Sequence, residues 1–285
     1  MVNGTLPLPV KEKEEQDVLL GIVTYCLLAL LFFGLAATVE TGQFKSRFKE
    51  GKGIACGLCC QFFIVPFLGF LSCKLFKLDA VYGITLLILC SSPGGSYSNW
   101  WCSLFNADLA LSVAMTTCST FAAMVMLPIN TLIYVNLAYG DDDSVEIDWV
   151  ALALSLAVTI VGISAGLYSG AKFPNQRNRF NGLGQIAGLV LMGLSFMFSS
   201  ERDPIWNREA NFYAATSLPC VSAVLISMIV TGFLGLRQPE RVAVVIETAY
   251  QNIGLATSIA INSFNAEDGS RAAGIPVLYG AWRVP

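Results

Sequence analysis

The residues of this 285-residue chain that could do chemistry sit where apolar sequence is interrupted. In "IETAYQNIG", Glu247, Gln251 and Asn252 put a carboxylate and two amides on an otherwise apolar stretch. Glu247 and Gln251 are four apart, so a helical backbone would place them on one face, with Asn252 adjacent. The second interruption is "SSPGGSYSNWW", residues 91–101. There Pro93 removes an amide, and Gly94 and Gly95 make extended or left-handed backbone accessible. Ser96, Ser98 and Asn99 would lie beside the freed backbone. Together these groups offer hydroxyl, amide and carboxylate oxygens with one negative charge and, since the chain has no histidine, no imidazole. Oxygen ligands suit a hard cation rather than a transition metal, and so few charges suit sodium better than calcium. A proton on Glu247 is the competing occupant. The bland readings are a proline kink with back-bonding serines, and an interfacial Glu247 paired with Arg241.

Such groups need elements to hold them, and the charge pattern supplies these. Stretches free of Asp, Glu, Lys and Arg run over 18–39, 53–73, 80–107, 109–140, 149–171, 180–200 and 210–236. A helix needs about 20 apolar residues to span a bilayer, so each is a candidate span. An eighth stretch, 242–266, is interrupted only by Glu247, and a ninth, 272–282, is short. The segments are apolar all round, whereas barrel strands alternate, so the expected class is an all-α polytopic membrane protein. The two anomalous segments are the third and the eighth. An odd separation makes them cross in opposite directions, the arrangement of an inverted-repeat transporter whose broken helices meet near the midplane. An ionisable residue inside a span is a functional-site expectation in its own right.

Other features exclude more than they assign. Without histidine there is no Ser-His-Asp or Cys-His catalysis, so an enzyme is not expected, and no cofactor is called for. Most of the nine cysteines fall inside apolar segments as small hydrophobes, and Cys56-x-x-Cys59 has no second pair to make a metal site. No basic tract suggests nucleic acid. The run Lys11-Glu12-Lys13-Glu14-Glu15 before the first span argues against a cleaved leader. With the N-terminus outside, the inner loops hold Lys45, Arg47, Lys49, Lys52, Lys172, Arg177, Arg179, Arg237 and Arg241, nine cations, against seven outside (Lys11, Lys13, Lys74, Lys77, Arg202, Arg208 and Arg271). The acidic Asp141-Asp142-Asp143 and the glycosylation sequon at Asn3 then also fall outside, as on a plasma-membrane protein. Gly162-x-x-x-Gly166-x-x-x-Gly170 and Gly184-x-x-x-Gly188 read as helix-packing stripes.

The sequence resembles the bile acid:sodium symporter family. The resemblance rests on "CSSPGGSYSNWW", then "LALSVAMTTCSTFAAMVMLPI" at 109–129, then "VIETAYQNIGLATSIAINSF" at 245–264, in that order and spacing, and extends more loosely over 18–265. It implies a core domain with two broken, crossing helices packed on a panel domain. The corresponding ranges are a tail at 1–17, a panel helix at 18–40, a first core half at 53–140, further panel helices at 146–200 and a second core half at 204–285. Carried over, it implies one sodium site on Ser98, Asn99, Ser112, Thr116 and Glu247, and a second on Gln61, Glu247 and Gln251. Pro93, Gly94, Gly95 and Asn252 become candidates for a crevice that takes an organic anion such as a bile salt or sulfated steroid. The aromatic Tyr97, Trp100 and Trp101 depart from the family pattern, as a reshaped substrate face or as an interfacial belt. Where the family has a complete last core helix this sequence stops at Pro285. That leaves a non-transporting membrane interaction protein as one rival reading, and proton-coupled transport through Glu247 as the other.

Overall fold

The computed structural model describes residues 10–38, 51–95, 97–140, 148–201 and 204–282. Asn3, Lys45, Arg47, Lys49, Ser96, the Asp141–Asp143 run and Arg202 lie outside the described residues. The described elements are helical, with a single isolated bridge between Gly94 and Gln251. In chain order they are α1 (Val10–Ala37), α2 (Lys52–Phe76), α3 (Ala80–Cys90), α4 (Ser98–Leu104), α5 (Leu109–Tyr139) and α6 (Trp149–Lys172). Then follow α7 (Arg177–Glu201), α8 (Ala210–Phe233), α9 (Gln238–Ala249), α10 (Ile253–Ser263), α11 (Ala266–Ala272) and α12 (Gly274–Trp282). Six helices are long and apolar enough to cross a membrane, namely α1 from Val18, α2, α5, α6, α8, and Pro174–Ser199, which contains most of α7. The stretches 80–107 and 242–266 do not form through-helices, and each is split into two short ones.

The acids that bound the apolar stretches act as helix starts. Asp79 accepts from Val81 N at 3.1 Å, Asp108 from Leu111 N at 2.9 Å, and Asp148 from Val150 N at 2.9 Å and Ala151 N at 3.0 Å. A carboxylate there satisfies amides that the helix leaves unpaired and complements the positive end of its dipole. Each cap sits where hydropathy switches, so one residue both ends a polar loop and starts a helix.

Two groups of helices result. α1 packs most extensively on α6 and α7. The glycine stripe of α6 explains the close approach: a Cβ on Gly162, Gly166 or Gly170 would meet the carbonyls of Ala29, Phe33 and Ala37 in α1. On α7, Gly184 likewise faces Gly34. These residues let backbones touch where lipid gives no hydrophobic drive to association. The second group holds α2 to α5 and α8 to α12, with α3 and α10 at its centre. Every residue of α3 is buried, as are Ile253 to Ala260 of α10. The two groups meet chiefly through α10, α11 and α12 against α1, α6 and α7.

α2 is a single span containing a π-helical turn at Cys60–Ile64. There Val65 N donates to the carbonyl five residues back, Cys60 O, because Pro66 follows immediately and carries no amide. An α-turn at this point would need that amide to reach Phe62 O, and a single π-turn is the usual relief.

A buried oxygen cluster at the crossing of two interrupted helices

α3 ends at Cys90 and α4 begins at Ser98, while α9 ends at Ala249 and α10 begins at Ile253. The two gaps lie against each other as the antiparallel bridge Gly94–Gln251. Gly95 N donates to Tyr250 O at 2.5 Å, and Asn252 N donates to Pro93 O at 2.9 Å and Ser92 Oγ at 3.1 Å. Gly94 N donates to Ser119 Oγ of α5 at 3.3 Å. Backbone groups freed by one break are thus answered by the other break and by α5, which is what buried irregular backbone requires. Of the extended or left-handed backbone expected from sequence, Gly94 takes the extended form, as half of the bridge to Gln251. Neither Gly94 nor Gly95 has a left-handed φ. Instead a Cβ on Gly94 would lie 2.5 Å from Glu247 Oε2, and one on Gly95 would lie 2.9 Å from Gln251 O. Close approach, not backbone handedness, demands glycine here.

Glu247 is completely buried, and among the described residues no cationic side chain forms an ion pair with it. It does not pair with Arg241, whose Nη2 donates to Met228 O at 3.2 Å. Its carboxylate receives Ser112 Oγ at Oε1, and Thr116 Oγ1 approaches Oε1 at 3.0 Å and Oε2 at 2.9 Å. Ser112 and Thr116 come from one face of α5, four residues apart. Ser112 Oγ also lies 2.8 Å from Asn99 Oδ1, so its one proton faces two acceptors. Thr116 Oγ1 has the Ser112 carbonyl at 3.0 Å as a further acceptor. Ser98 faces the carboxylate as well, while its hydroxyl donates to Gly95 O at 2.8 Å. The cluster is rich in oxygen and poor in protons. Ser98, Asn99, Ser112, Thr116 and Glu247 are therefore brought together, from α4, α5 and α9.

The second expected set assembles differently. Gln61, buried on the π-turn of α2, donates from Nε2 to Ser92 O at 3.3 Å and to Gln251 Oε1 at 3.4 Å. Ser92 Oγ donates to the same Gln251 Oε1 at 3.3 Å, and Gln251 Nε2 donates to Thr248 O at 2.9 Å. Gln61 Oε1, Ser91 Oγ, Thr248 Oγ1 and Asn252 Nδ2 are buried with no hydrogen-bond partner. In native structures each such atom calls for an explanation. Glu247 and Gln251 do not share a helical face, because α9 stops between them at Ala249 and Tyr250 takes φ −87°, ψ 81°. The carboxylate consequently turns to α5 and the amide to α2.

The remaining expected positions are all buried in the crossing. Pro93, Gly94 and Gly95 line its backbone. Asn252 caps α10, its Oδ1 accepting from Leu255 N at 3.0 Å. A cleft runs beside the cluster between α1, α5 and α6, lined by Phe32, Leu35, Asn99, Thr116, Thr120 and Ile163. Tyr97 reaches across to α7, donating to Gln185 O at 3.0 Å, and Trp101 packs against Phe105 and Tyr250. Trp100 is exposed. Reading the sequence missed Ser92, Ser119 and Thr248. Ser92 and Thr248 lie inside the two interrupted stretches, which was the available signal, whereas Ser119 carried none.

The model of the Sodium Bile acid symporter family matches residues 25–208 of the chain. The human ileal sodium/bile acid cotransporter is 29% identical over 273 residues, covering 94% of this chain and 77% of its own length. The human hepatic sodium/bile acid cotransporter is 28% identical over 281 residues, covering 97% and 80%. A sodium-dependent organic anion transporter from Bos taurus is 27% identical over 286 residues, covering 98% and 74%.

Proposed function

The chain belongs to the Sodium Bile acid symporter family, and from that premise we propose that it is a sodium-coupled symporter of amphipathic organic anions such as bile salts or sulfated steroids. The names of its relatives supply the substrate class. One observation carries the coupling ion: Glu247 is buried without an ion-pair partner among the described residues, inside more oxygens than there are protons to share. An isolated buried charge is costly, by several kcal/mol even after relaxation, unless something neutralises it. A sodium ion held by Glu247, Ser98, Asn99, Ser112 and Thr116 would do so with oxygen ligands alone. A second ion would use Gln61 and Gln251, drawing on the orphaned Gln61 Oε1 and the carbonyls around Ser92.

In this reading α1, α6 and α7 form a panel, α2 to α5 with α8 to α12 form the core, and the anion occupies the crevice between them. The space beside Asn99 and Thr116 is only about 20 Å³ here, so the anion would need a wider crevice, whose wall the sodium ligands would then shape. Sodium favours whichever geometry of the crossing it binds better, and the anion enters that geometry more readily, so the two affinities are linked. The orientation with the N-terminus outside rests on the loop charges, and the plasma membrane is part of the same proposal.

A proton on Glu247 would satisfy the same oxygen excess. The deciding experiment is uptake of a radiolabelled taurine-conjugated bile salt into cells expressing the chain, in sodium and in choline medium at fixed pH, with surface expression checked. Sodium-dependent uptake that vanishes in Glu247→Ala is the expected result. Uptake equal in both media and driven by a pH gradient would assign the site to a proton.

A further inference from the structure

Gln61 sits on the π-turn of α2 and meets the crossing from there, and Pro66 just beyond the turn leaves a carbonyl to be satisfied. An ordinary α-turn would pair Phe62 O with the amide at position 66, which Pro66 does not have. Asn130 of α5 supplies the donor: its Nδ2 lies 2.8 Å from Phe62 O, and the residue is 5% exposed. Phe62 itself is 2% exposed, so water has little access to that carbonyl. The next residue along the turn from this contact is Gln61, whose amide meets Ser92 O and Gln251 Oε1. A buried amide on α5 is thus tied to backbone in α2, one residue from the side chain that bridges both interrupted helices.

We propose that Asn130 is a positioning residue for sodium use: by replacing the amide that Pro66 lacks, it holds the π-turn of α2 in the register that aims Gln61 at Gln251. This rests on the sodium-symport reading, and it adds a residue that touches neither the ion cluster nor the crevice. Pro66 and Asn130 are one device in two parts. The proline forces the slip, and the asparagine makes it tolerable in a setting where an unmet carbonyl is expensive.

The test compares Asn130→Leu, Pro66→Ala and the double variant in sodium-activated bile salt uptake. Asn130→Leu keeps the bulk and removes the donor. Its half-saturating sodium concentration should rise roughly 2- to 10-fold, the range that loss of one buried hydrogen bond implies, with the half-saturating bile salt concentration at saturating sodium unchanged. Pro66→Ala returns the missing amide, so the segment can close as an α-helix and turn Gln61 away by about 100°. It should weaken sodium activation even with Asn130 present, and adding Asn130→Leu should then cost nothing more. A merely structural role would lower surface expression while leaving the sodium dependence intact. Wild-type sodium dependence in both single variants, or losses that multiply in the double variant, would overturn the proposal.

A second readout does not need transport. Amide hydrogen exchange over residues 60–66, in sodium-free and substrate-free protein, should accelerate roughly 2- to 10-fold in Asn130→Leu, as a π-turn deprived of one buried bond opens more often. Unchanged exchange sinks the idea. If wild-type uptake shows no sodium dependence the symport reading fails on its own, while the exchange result still judges Asn130. Should Asn130→Leu not reach the surface, Asn130→Ser takes its place in both measurements.

Discussion

The two breaks at the crossing are built in different ways. The first spans residues 91–97 and carries its own punctuation in Pro93, Gly94 and Gly95. The second is only Tyr250, Gln251 and Asn252, with neither proline nor glycine. No proline or glycine stops α9, but Gln251 Nε2 takes Thr248 O, the carbonyl that Asn252 N would meet in a continued helix. Its continuation is also opposed from outside, since Tyr250 O accepts from Gly95 N and Asn252 N is taken by Pro93 O and Ser92 Oγ. The restart is local, through the Asn252 cap on α10. One strongly broken helix therefore serves as the template on which a weakly broken one is shaped, and the fixed partner is the half with glycines.

The largest effect should come from spoiling the template. Gly94→Ala puts a Cβ 2.5 Å from Glu247 Oε2, inside any real contact distance, against a carboxylate held by α5. Either the carboxylate leaves Ser112 and Thr116 or the bridge to Gln251 opens. Overpacking of this kind costs about 1–3 kcal/mol, and here it falls on the proposed ion cluster. Sodium-stimulated uptake should be lost with surface expression retained. Wild-type uptake in this variant would mean that the first break moves freely and templates nothing.

Gln251→Ala comes next, because it removes the side chain that the second break contributes. Gln61 Nε2 and Ser92 Oγ lose their shared acceptor, yet the bridge and the Asn252 backbone bonds stay available. The expected result is folded protein at the surface that no longer responds to sodium. If sodium activation survives with only a raised half-saturating concentration, the second ion site belongs to the carbonyls around Ser92 and the glutamine pair is mortar between helices.

Much of this was legible in the sequence. Charge-free stretches marked the helices, and their bounding aspartates became the caps. Pro93 with two glycines marked the first break, and polarity marked Glu247 and Gln251. What the sequence concealed depends on partners far along the chain. The stop of α9 is made by residues 92–95 together with the Gln251 amide on Thr248 O, so treating 247 and 251 as one helical face failed. The π-turn at 60–64 follows from Pro66 but is tolerable only because Asn130 lies across from it. Ser119 looks like any other small residue on α5 until Gly94 N is seen to need an acceptor. Local rules read a helix well and cannot see who answers its missing bonds.

Asn252 offers the smallest effect and the sharpest division between local and imposed structure. Its Oδ1 caps α10, while its Nδ2 is buried without a partner. Asn252→Ala should cost about 1 kcal/mol, the usual worth of such a cap, read as a lowered midpoint in thermal unfolding of the purified protein. Asn252→Ser keeps an acceptor for Leu255 N and deletes the orphaned amide, so it should recover most of that loss. Transport then separates two roles for the same side chain. Normal uptake by Asn252→Ser would make the residue a cap that restarts the second helix and no more. Reduced uptake at recovered stability would place the unpaired Nδ2 against the anion, because only a group that meets substrate is missed when the fold is not.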